Sequence, residues 1–263
     1  MKIIISHDVD NLSVKDHLFK DWIILREISR SFSEFFRKKF PFSVLFRRLT
    51  EIFKRKAWSN LEELLKFDKE NKINSTFFVA VAKGKVTNYS QRQAKQAIEL
   101  IKKYGFDVGI HGICYNNYEK MKKEHEDFER ISGLERFGMR MHYLKSDQET
   151  FENFAKLGYL YDTTVLSNNL EQKYKINGLI EIPFHIMDSR LLGYRSNSTL
   201  EEVKEKIVKL LERAEKENKE YFAALFHDRR FSNHFPDIKN LYIWLIDYCK
   251  ERGYKFINYK DLL

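Results

Sequence analysis

Short apolar segments that alternate with amphipathic helices are the feature that most limits the fold of this chain. We predict strands at 2–5, 75–80, 106–110, 139–143, 159–161, 179–182, 222–226 and 254–258. Helices are predicted at 91–103, 118–130, 147–157, 200–216 and 238–252. Such alternation is typical of parallel βα units. Because no glycine-rich phosphate loop follows a strand, we predict an α/β fold, namely a distorted (β/α) barrel of about seven parallel strands.

Length and composition agree with one domain that spans residues 1–263. Single barrels of about 250 residues are common. The chain is 43% hydrophobic and 32% charged, a globular composition that excludes a disordered or fibrous protein. It has only three prolines and ten glycines, fewer than the many tight turns of a β-sandwich would need.

A basic, aromatic-rich segment at about 13–72 interrupts the alternation after the first strand. Apolar residues recur there at helical spacing, as at Leu18, Trp22, Leu25, Ile28 and Phe32, so we predict an insertion of two or three helices. Two roles are open for it. Its helices could pack their apolar residues on the barrel, or they could rest on the anionic inner face of a membrane.

The charge and the targeting signals bear on partners and location. Lys and Arg outnumber Asp and Glu by 47 to 38, so an anionic partner is expected. Two cysteines, Cys114 and Cys249, are typical of a reduced chain. The first apolar run is too short for a secretory signal, and no run approaches the roughly 18 residues of a spanning helix. We therefore expect a cytoplasmic protein, with the inner membrane surface as its one place of contact with a bilayer.

Chemically active side chains gather where predicted strands end. Asp8 and Asp10 follow the first strand two residues apart, so both carboxylates should face one site. Two adjacent carboxylates repel each other unless a cation or a proton joins them. Five of the eight histidines, His7, His111, His142, His185 and His227, also fall at strand ends. In barrels of this type the chemistry lies at that end of the strands.

The order of these motifs resembles that of the polysaccharide deacetylases, the NodB-homology superfamily of carbohydrate esterases. The resemblance extends from the first strand to about residue 228. It rests on "SHDVDN" (6–11), "HGICY" (111–115), "RMH" (140–142) and "LFH" (225–227). Asp188 matches the Asp of the family's fourth motif, although no Trp follows it.

The resemblance implies a role for each matched residue. Asp8 would be the catalytic base, oriented by Arg140, and His227 the general acid, oriented by Asp188. Asp10 and His111 would bind a metal. Leu225 would line the acyl pocket.

One departure affects the metal. The family's second metal-binding His is replaced by Tyr115. Three outcomes are open: Tyr115 ligates weakly, His142 becomes the third ligand, or the metal is lost. We favour His142, because imidazole is the right kind of ligand, and assign Tyr115 to substrate contact.

The resemblance implies a metal-dependent hydrolase that removes an N-acetyl or N-formyl group from an amino sugar. The cofactor would be a divalent metal, zinc first, with manganese, iron and cobalt as alternatives. The positive charge favours a sugar on an anionic carrier, a nucleotide diphosphate or polyprenyl phosphate, as in surface-polysaccharide synthesis. The alternative is an inactive homologue that only binds carbohydrate. Nucleic acid is not an expected partner, because the aromatic residues keep the spacing of a helix core.

Overall fold

The computed structural model describes residues 1–16, 22–147, 149–194 and 196–263. Seven parallel strands form an open, distorted barrel in the order β4-β3-β2-β1-β8-β7, with β9 also paired to β1, and helices surround it. This confirms the predicted fold class. The strands are β1 (Lys2–Val9), β2 (Thr76–Val79), β3 (Asp107–Gly112), β4 (Met139–Met141), β5 (Tyr174–Ile176), β6 (Leu179–Glu181), β7 (Ile186–Met187), β8 (Tyr221–His227) and β9 (Lys255–Ile257).

Nine α-helices are present in the described ranges. They are α1 (Ile23–Phe36), α2 (Phe42–Thr50), α3 (Leu61–Glu70), α4 (Gln91–Tyr104), α5 (Tyr118–Ser132), α6 (Thr150–Leu157), α7 (Asp188–Leu191), α8 (Leu200–Lys216) and α9 (Pro236–Glu251). Side-chain caps fix several starts, as at Ser90 and Thr199, where capping boxes begin α4 and α8. No described helix is long and apolar enough to cross a membrane.

Strand β1 lies at the centre of the sheet. One of its edges pairs with β8 along its whole length. The other edge pairs first with β9, over residues 2–4, and then with β2, over residues 6–9. The carboxyl end of β1 is therefore flanked by β2 and β8, and residues just past it enter the mouth of the barrel.

The alternation of side chains along β1 decides which of them face that mouth. Ile3 and Ile5 belong to the large core between the sheet and the outer helices, whereas Ile4 belongs to a smaller core inside the barrel. Successive side chains point to opposite faces. Ser6 and Asp8 therefore continue the inner face that Ile4 begins.

Two strand predictions need correction. Residues 159–161 form no strand, and Leu179–Glu181 pairs antiparallel with β5 and meets the barrel through a single parallel bridge to Asp162. The turn of that hairpin is Asn177-Gly178, both at positive φ, the two-residue signal of a tight hairpin that the sequence contained. Strand β7 was missed because its two residues are too few to show any periodicity.

The helices between β1 and β2 divide into two groups. Helix α3 adds Leu61, Leu64 and Leu65 to the large core, as an ordinary crossover helix does. Helices α1 and α2 precede it, and Ile23 and Trp58 belong to a small cluster of their own. The insertion that departs from the barrel is thus shorter than 13–72. Residues 17–21, with the predicted Leu18, lie outside the described residues, and the single-domain assignment stays a prediction.

Candidate active site

A cavity of about 760 Å³ opens at the carboxyl ends of β1, β3, β4 and β8. Five of the predicted residues line it: Asp8, Asp10, His111, His142 and His227. Arg140 and Asp188 lie directly behind this lining and contact it. The structure thus brings seven of the nine predicted site residues together.

Asp8 is held by a buried arginine. Arg140 is fully buried on the inner face of β4, and its Nη1 donates to Asp8 Oδ1 at 2.9 Å. Its Nη2 donates to Ser6 and Tyr259, and its Nε to the carbonyl of Thr163. Because every nitrogen of the guanidinium is engaged, Arg140 fixes Asp8 in one orientation. The second carboxylate oxygen of Asp8 lies 3.9 Å from His111 Nε2.

Asp10, His111 and His142 form a possible metal site. The Oδ1 atom of Asp10 lies 3.4 Å from His111 Nε2 and 3.3 Å from His142 Nδ1, and these two nitrogens are 2.9 Å apart. Among the side-chain atoms of the described chain, Asp10 Oδ1 is one of the few that are buried without a hydrogen-bond partner. Three polar atoms therefore converge on one point.

The protons of the two rings explain why this arrangement suits a cation. His111 Nδ1 lies 3.0 Å from the carbonyl oxygen of Arg140, and His142 Nε2 lies 2.9 Å from that of Lys85. A carbonyl only accepts hydrogen bonds, so in the neutral rings these outer nitrogens carry the protons. The inner nitrogens then turn lone pairs toward each other and toward Asp10. Four-coordinate ligands at about 2.0–2.1 Å from an ion stand about 3.3 Å apart, close to the separations found here.

The turn after β4 positions His142. The next two residues, Tyr143 and Leu144, both have positive φ, a conformation that costs about 1 kcal/mol or more for such side chains. The strand therefore ends abruptly, and the His142 ring stays near its inner face. Tyr143 lines the cavity beside it.

His227 and Asp188 form a buried ion pair on the opposite wall. Nδ1 of His227 donates to Asp188 Oδ1 at 2.7 Å, and its backbone N–H donates to Oδ2 at 2.9 Å. Burial alone would lower the pKa of His227, but the adjacent Asp188 carboxylate outweighs it and raises this pKa to about 9. The imidazolium therefore presents Nε2–H to the cavity, 3.8 Å from Asp10 Oδ2.

Two predicted substrate contacts lie away from the cavity. Tyr115 packs its ring against Lys145, 5.5 Å from the Nζ atom. No helical turn follows His111, because α5 begins only at Tyr118, so Tyr115 is not carried back toward the metal site. Leu225 is fully buried in the inner core, below His227 on β8, and is not part of the cavity wall.

Two of the five strand-end histidines, His7 and His185, lie outside the cavity. His7 is one residue before Asp8, so it points to the outer face, where it contacts Asp68 at 3.1 Å and the carbonyl of Phe226. His185 contacts the carbonyl of Glu171 and accepts the backbone N–H of Ala223. The period of two along β1 was a signal that could have excluded His7.

Sequence reasoning missed several residues around the cavity. Ser6 could have been found, because it shares the face of Asp8. Six basic residues in the cavity wall could not have been found, because they come from separate parts of the chain. We call them the basic wall: Arg26, Arg30, Lys85, Arg190, Arg229 and Arg230.

Comparison with known proteins supports the fold assignment. No family model matches the chain, and no curated protein does. A solved structure described as a polysaccharide deacetylase from Mycobacterium smegmatis aligns with 99% of this chain and 88% of its own, with a TM-score of 0.63 and 15% identity. The chain therefore has the fold of a polysaccharide deacetylase.

Two more distant structures are carbohydrate esterase family 4 proteins. An esterase from Streptomyces lividans, solved with acetate, covers 74% of this chain and 84% of its own, at a TM-score of 0.45 and 14% identity. A pseudoenzyme from Bacillus anthracis covers 78% and 61%, at 0.46 and 14%.

Proposed function

We propose that this protein is a metal-dependent hydrolase that removes an N-acyl group, acetyl or formyl, from an amino sugar. The observation that carries the proposal is the grouping of three parts around one cavity: a carboxylate fixed by arginine, a set of three lone-pair donors, and a charged histidine. Hydrolysis of an amide needs a base, an electrophile and an acid, and these parts can supply them in that order.

The donor set suggests the cofactor. Two imidazoles and a carboxylate suit zinc, and the same set suits iron(II), manganese and cobalt less specifically. A divalent ion held by Asp10, His111 and His142 would supply Lewis-acid activation of the acyl carbonyl and of water. We propose zinc as the resident ion.

The protein side chains then account for the proton transfers. Asp8 accepts a proton from the attacking water as the carbon–oxygen bond forms at the acyl carbon. His227 donates its Nε2 proton to the sugar nitrogen as the carbon–nitrogen bond breaks. The products are a carboxylic acid and a free amino sugar, and Asp188 keeps His227 protonated beforehand.

The basic wall of the cavity supports an anionic carrier. Arg229 and Arg30 both pair with Glu27, but Arg26 Nε is buried with no hydrogen-bond partner among the described residues. Asn11 lines the same cavity, and its Oδ1 is likewise buried without a hydrogen-bond partner among the described residues. These groups suit the phosphates and hydroxyls of a nucleotide-linked or polyprenyl-phosphate-linked sugar, as a precursor of a surface polysaccharide.

Replacement of Asp8 tests the reaction. With the zinc-loaded protein, Asp8→Asn should retain metal and fold but lower the rate of acyl release from N-acetylated or N-formylated nucleotide sugars by about 10²–10⁴. Asp247→Asn, an exposed change on α9, is the control and should leave the rate unchanged. Equal turnover by Asp8→Asn and the unmodified protein would contradict the assignment.

Replacement of Arg26 tests the carrier. Arg26→Gln should raise KM for a nucleotide-linked sugar while kcat and the KM for the free sugar stay unchanged. Arg136→Gln, outside the cavity, should alter none of these constants.

If zinc binds stoichiometrically and no N-acylated sugar is hydrolysed, that result would support the alternative function, a homologue that binds carbohydrate without reaction.

A further inference from the structure

Helix α1 turns one row of its apolar side chains to solvent. Trp22 precedes the helix and, with Leu25, Phe32 and Phe36, forms a stripe at helical spacing. This stripe continues onto α2 and the turn after it. Exposed fractions along it are Trp22 77%, Leu25 57%, Phe32 40%, Phe36 76%, Phe42 65%, Phe46 59% and Phe53 64%. We call these seven residues the aromatic face.

The opposite side of α1 carries the buried Ile23 and two glutamates, and ion pairs of these glutamates hold the helix in its orientation. Glu34 pairs with Arg48 at 2.5 Å, and Glu27 pairs with Arg229 at 2.9 Å in the wall of the cavity. Glu34 is buried as a residue. Rotating the helix to bury its apolar stripe would break these pairs and leave charges unpartnered in the interior. The exposure of the stripe is therefore built into the packing of the helix.

The aromatic face is continuous across the two helices. Phe35 contacts both Phe36 and Phe42, with ring centroids 5.8 and 6.1 Å apart, and Phe42 contacts Phe46 at 6.4 Å. Seven of the eleven large exposed hydrophobic residues in the described chain lie in this one short segment. Contiguous exposed apolar surface of this kind marks an interaction site.

The same segment holds most of the net charge of the protein. Residues 22–58 contain ten Lys and Arg but three Glu, whereas the whole chain has a net charge of +9. Two of those three, Glu27 and Glu34, turn inward to arginines. Lys38, Lys54 and Lys56 are exposed near the aromatic face.

We propose that the aromatic face docks on an anionic phospholipid membrane. Aromatic side chains would enter the headgroup region, with α1 and α2 lying along the surface, while the exposed Lys38, Lys54 and Lys56 contact lipid phosphates. A second copy of the chain fits the face less well, because pairing two copies would bring two strongly positive segments together. The proposal is independent of the reaction proposed above.

Vesicle cosedimentation tests the docking. The unmodified protein should bind vesicles of phosphatidylcholine with phosphatidylglycerol at least 100-fold more tightly than phosphatidylcholine alone, and 0.5 M salt should reduce that binding. Phe36→Ser/Phe42→Ser/Phe46→Ser should weaken binding at least tenfold. Lys38→Glu/Lys54→Glu/Lys56→Glu should weaken it at least 100-fold.

Matched controls distinguish docking from a general effect. Tyr174→Ser, an exposed aromatic on the β5–β6 hairpin, and Lys122→Glu/Lys123→Glu on α5 should bind vesicles as the unmodified protein does, and circular dichroism should show all variants folded. Absence of vesicle binding by the unmodified protein, or equal binding by the aromatic variant, would overturn the proposal. So would a stable dimer in sedimentation analysis that the aromatic substitutions dissociate.

Discussion

His142 stands where its Nδ1 atom lies 3.3 Å from Asp10 and 2.9 Å from His111 Nε2, whereas Tyr115 contacts Lys145 outside the cavity. The third donor of the candidate set thus comes from the residue that directly follows β4 and not from the loop after β3. Among the predicted donors, the two imidazole nitrogens are therefore the ones that reach Asp10.

We predict that His142→Ala loses metal. Reconstitution with Zn²⁺ followed by elemental analysis should give about one ion per chain for the unmodified protein and for Tyr115→Phe, because the Tyr115 phenol is not a donor. His142→Ala should retain well below half, since two donors bind an ion far less tightly than three. Full retention of zinc by His142→Ala would remove His142 from the set of ligands.

His185 gives a prediction about stability. Burial lowers its pKa to about 4, and both ring nitrogens are already satisfied, Nε2 by a carbonyl and Nδ1 by the N–H of Ala223. In the unfolded chain it protonates near pH 6.5. The stabilisation from neutral His185 is therefore fully present above pH 6.5 and is lost as the pH falls toward 4, by about 3 kcal/mol at most.

Urea unfolding at pH 7, 6 and 5 measures this effect. The free energy of unfolding of the unmodified protein should fall over this range more steeply than that of His185→Gln, which cannot titrate there. Parallel slopes for the two proteins would show that His185 is not a source of the acid sensitivity.

Among the larger elements, the β5–β6 hairpin meets the barrel at two residues with buried carboxyl groups. Asp162 and Glu181 are paired by a backbone bridge, and one oxygen of each has no hydrogen-bond partner in the described structure. Burial, and then the neighbouring charge of Asp162, raise the pKa of Glu181 well above its usual value. Both effects favour the protonated form of Glu181 in the folded protein.

The free energy of unfolding should therefore depend on pH through Glu181. A raised pKa in the folded state stabilises it at low pH, and this contribution is lost as the pH rises toward the folded-state pKa. We expect Glu181→Gln, whose amide always carries hydrogens, to remove that loss, so its unfolding free energy should change less between pH 5 and 9. Glu201→Gln, exposed on α8, should retain the slope of the unmodified protein, and a Glu181→Gln slope equal to it would contradict the assignment.

For the whole molecule, a metal in the candidate site would tie β1, β3 and β4 together. Zinc at 100 times its dissociation constant should stabilise the folded state by about 2.7 kcal/mol and raise Tm by about 5–10 °C. His142→Ala should show no such rise at the same zinc concentration. A Tm that does not respond to Zn²⁺, Mn²⁺, Fe²⁺ or Co²⁺ in the unmodified protein would contradict a resident metal.

The sequence by itself determined the barrel and the order of its site motifs. Parallel strands must end at one edge, and the two-residue period of β1 places Asp8 and Asp10 on one face. These are local regularities of the backbone, so they can be read without knowing the neighbours of each strand. The Asn177-Gly178 pair is a local signal of the same kind, because these two residues by themselves indicate a tight hairpin.

Only the tertiary structure decided which way several of these patterns face. Helical spacing on α1 defined an apolar stripe and left open whether it packs on the barrel or faces outward. Its outer row faces solvent because Glu27 and Glu34 pair with Arg229 and Arg48 on the other side. The third donor of the metal site likewise depended on where β4 ends. Both outcomes rest on contacts between residues far apart in the chain, and such contacts leave no periodic signal in the sequence.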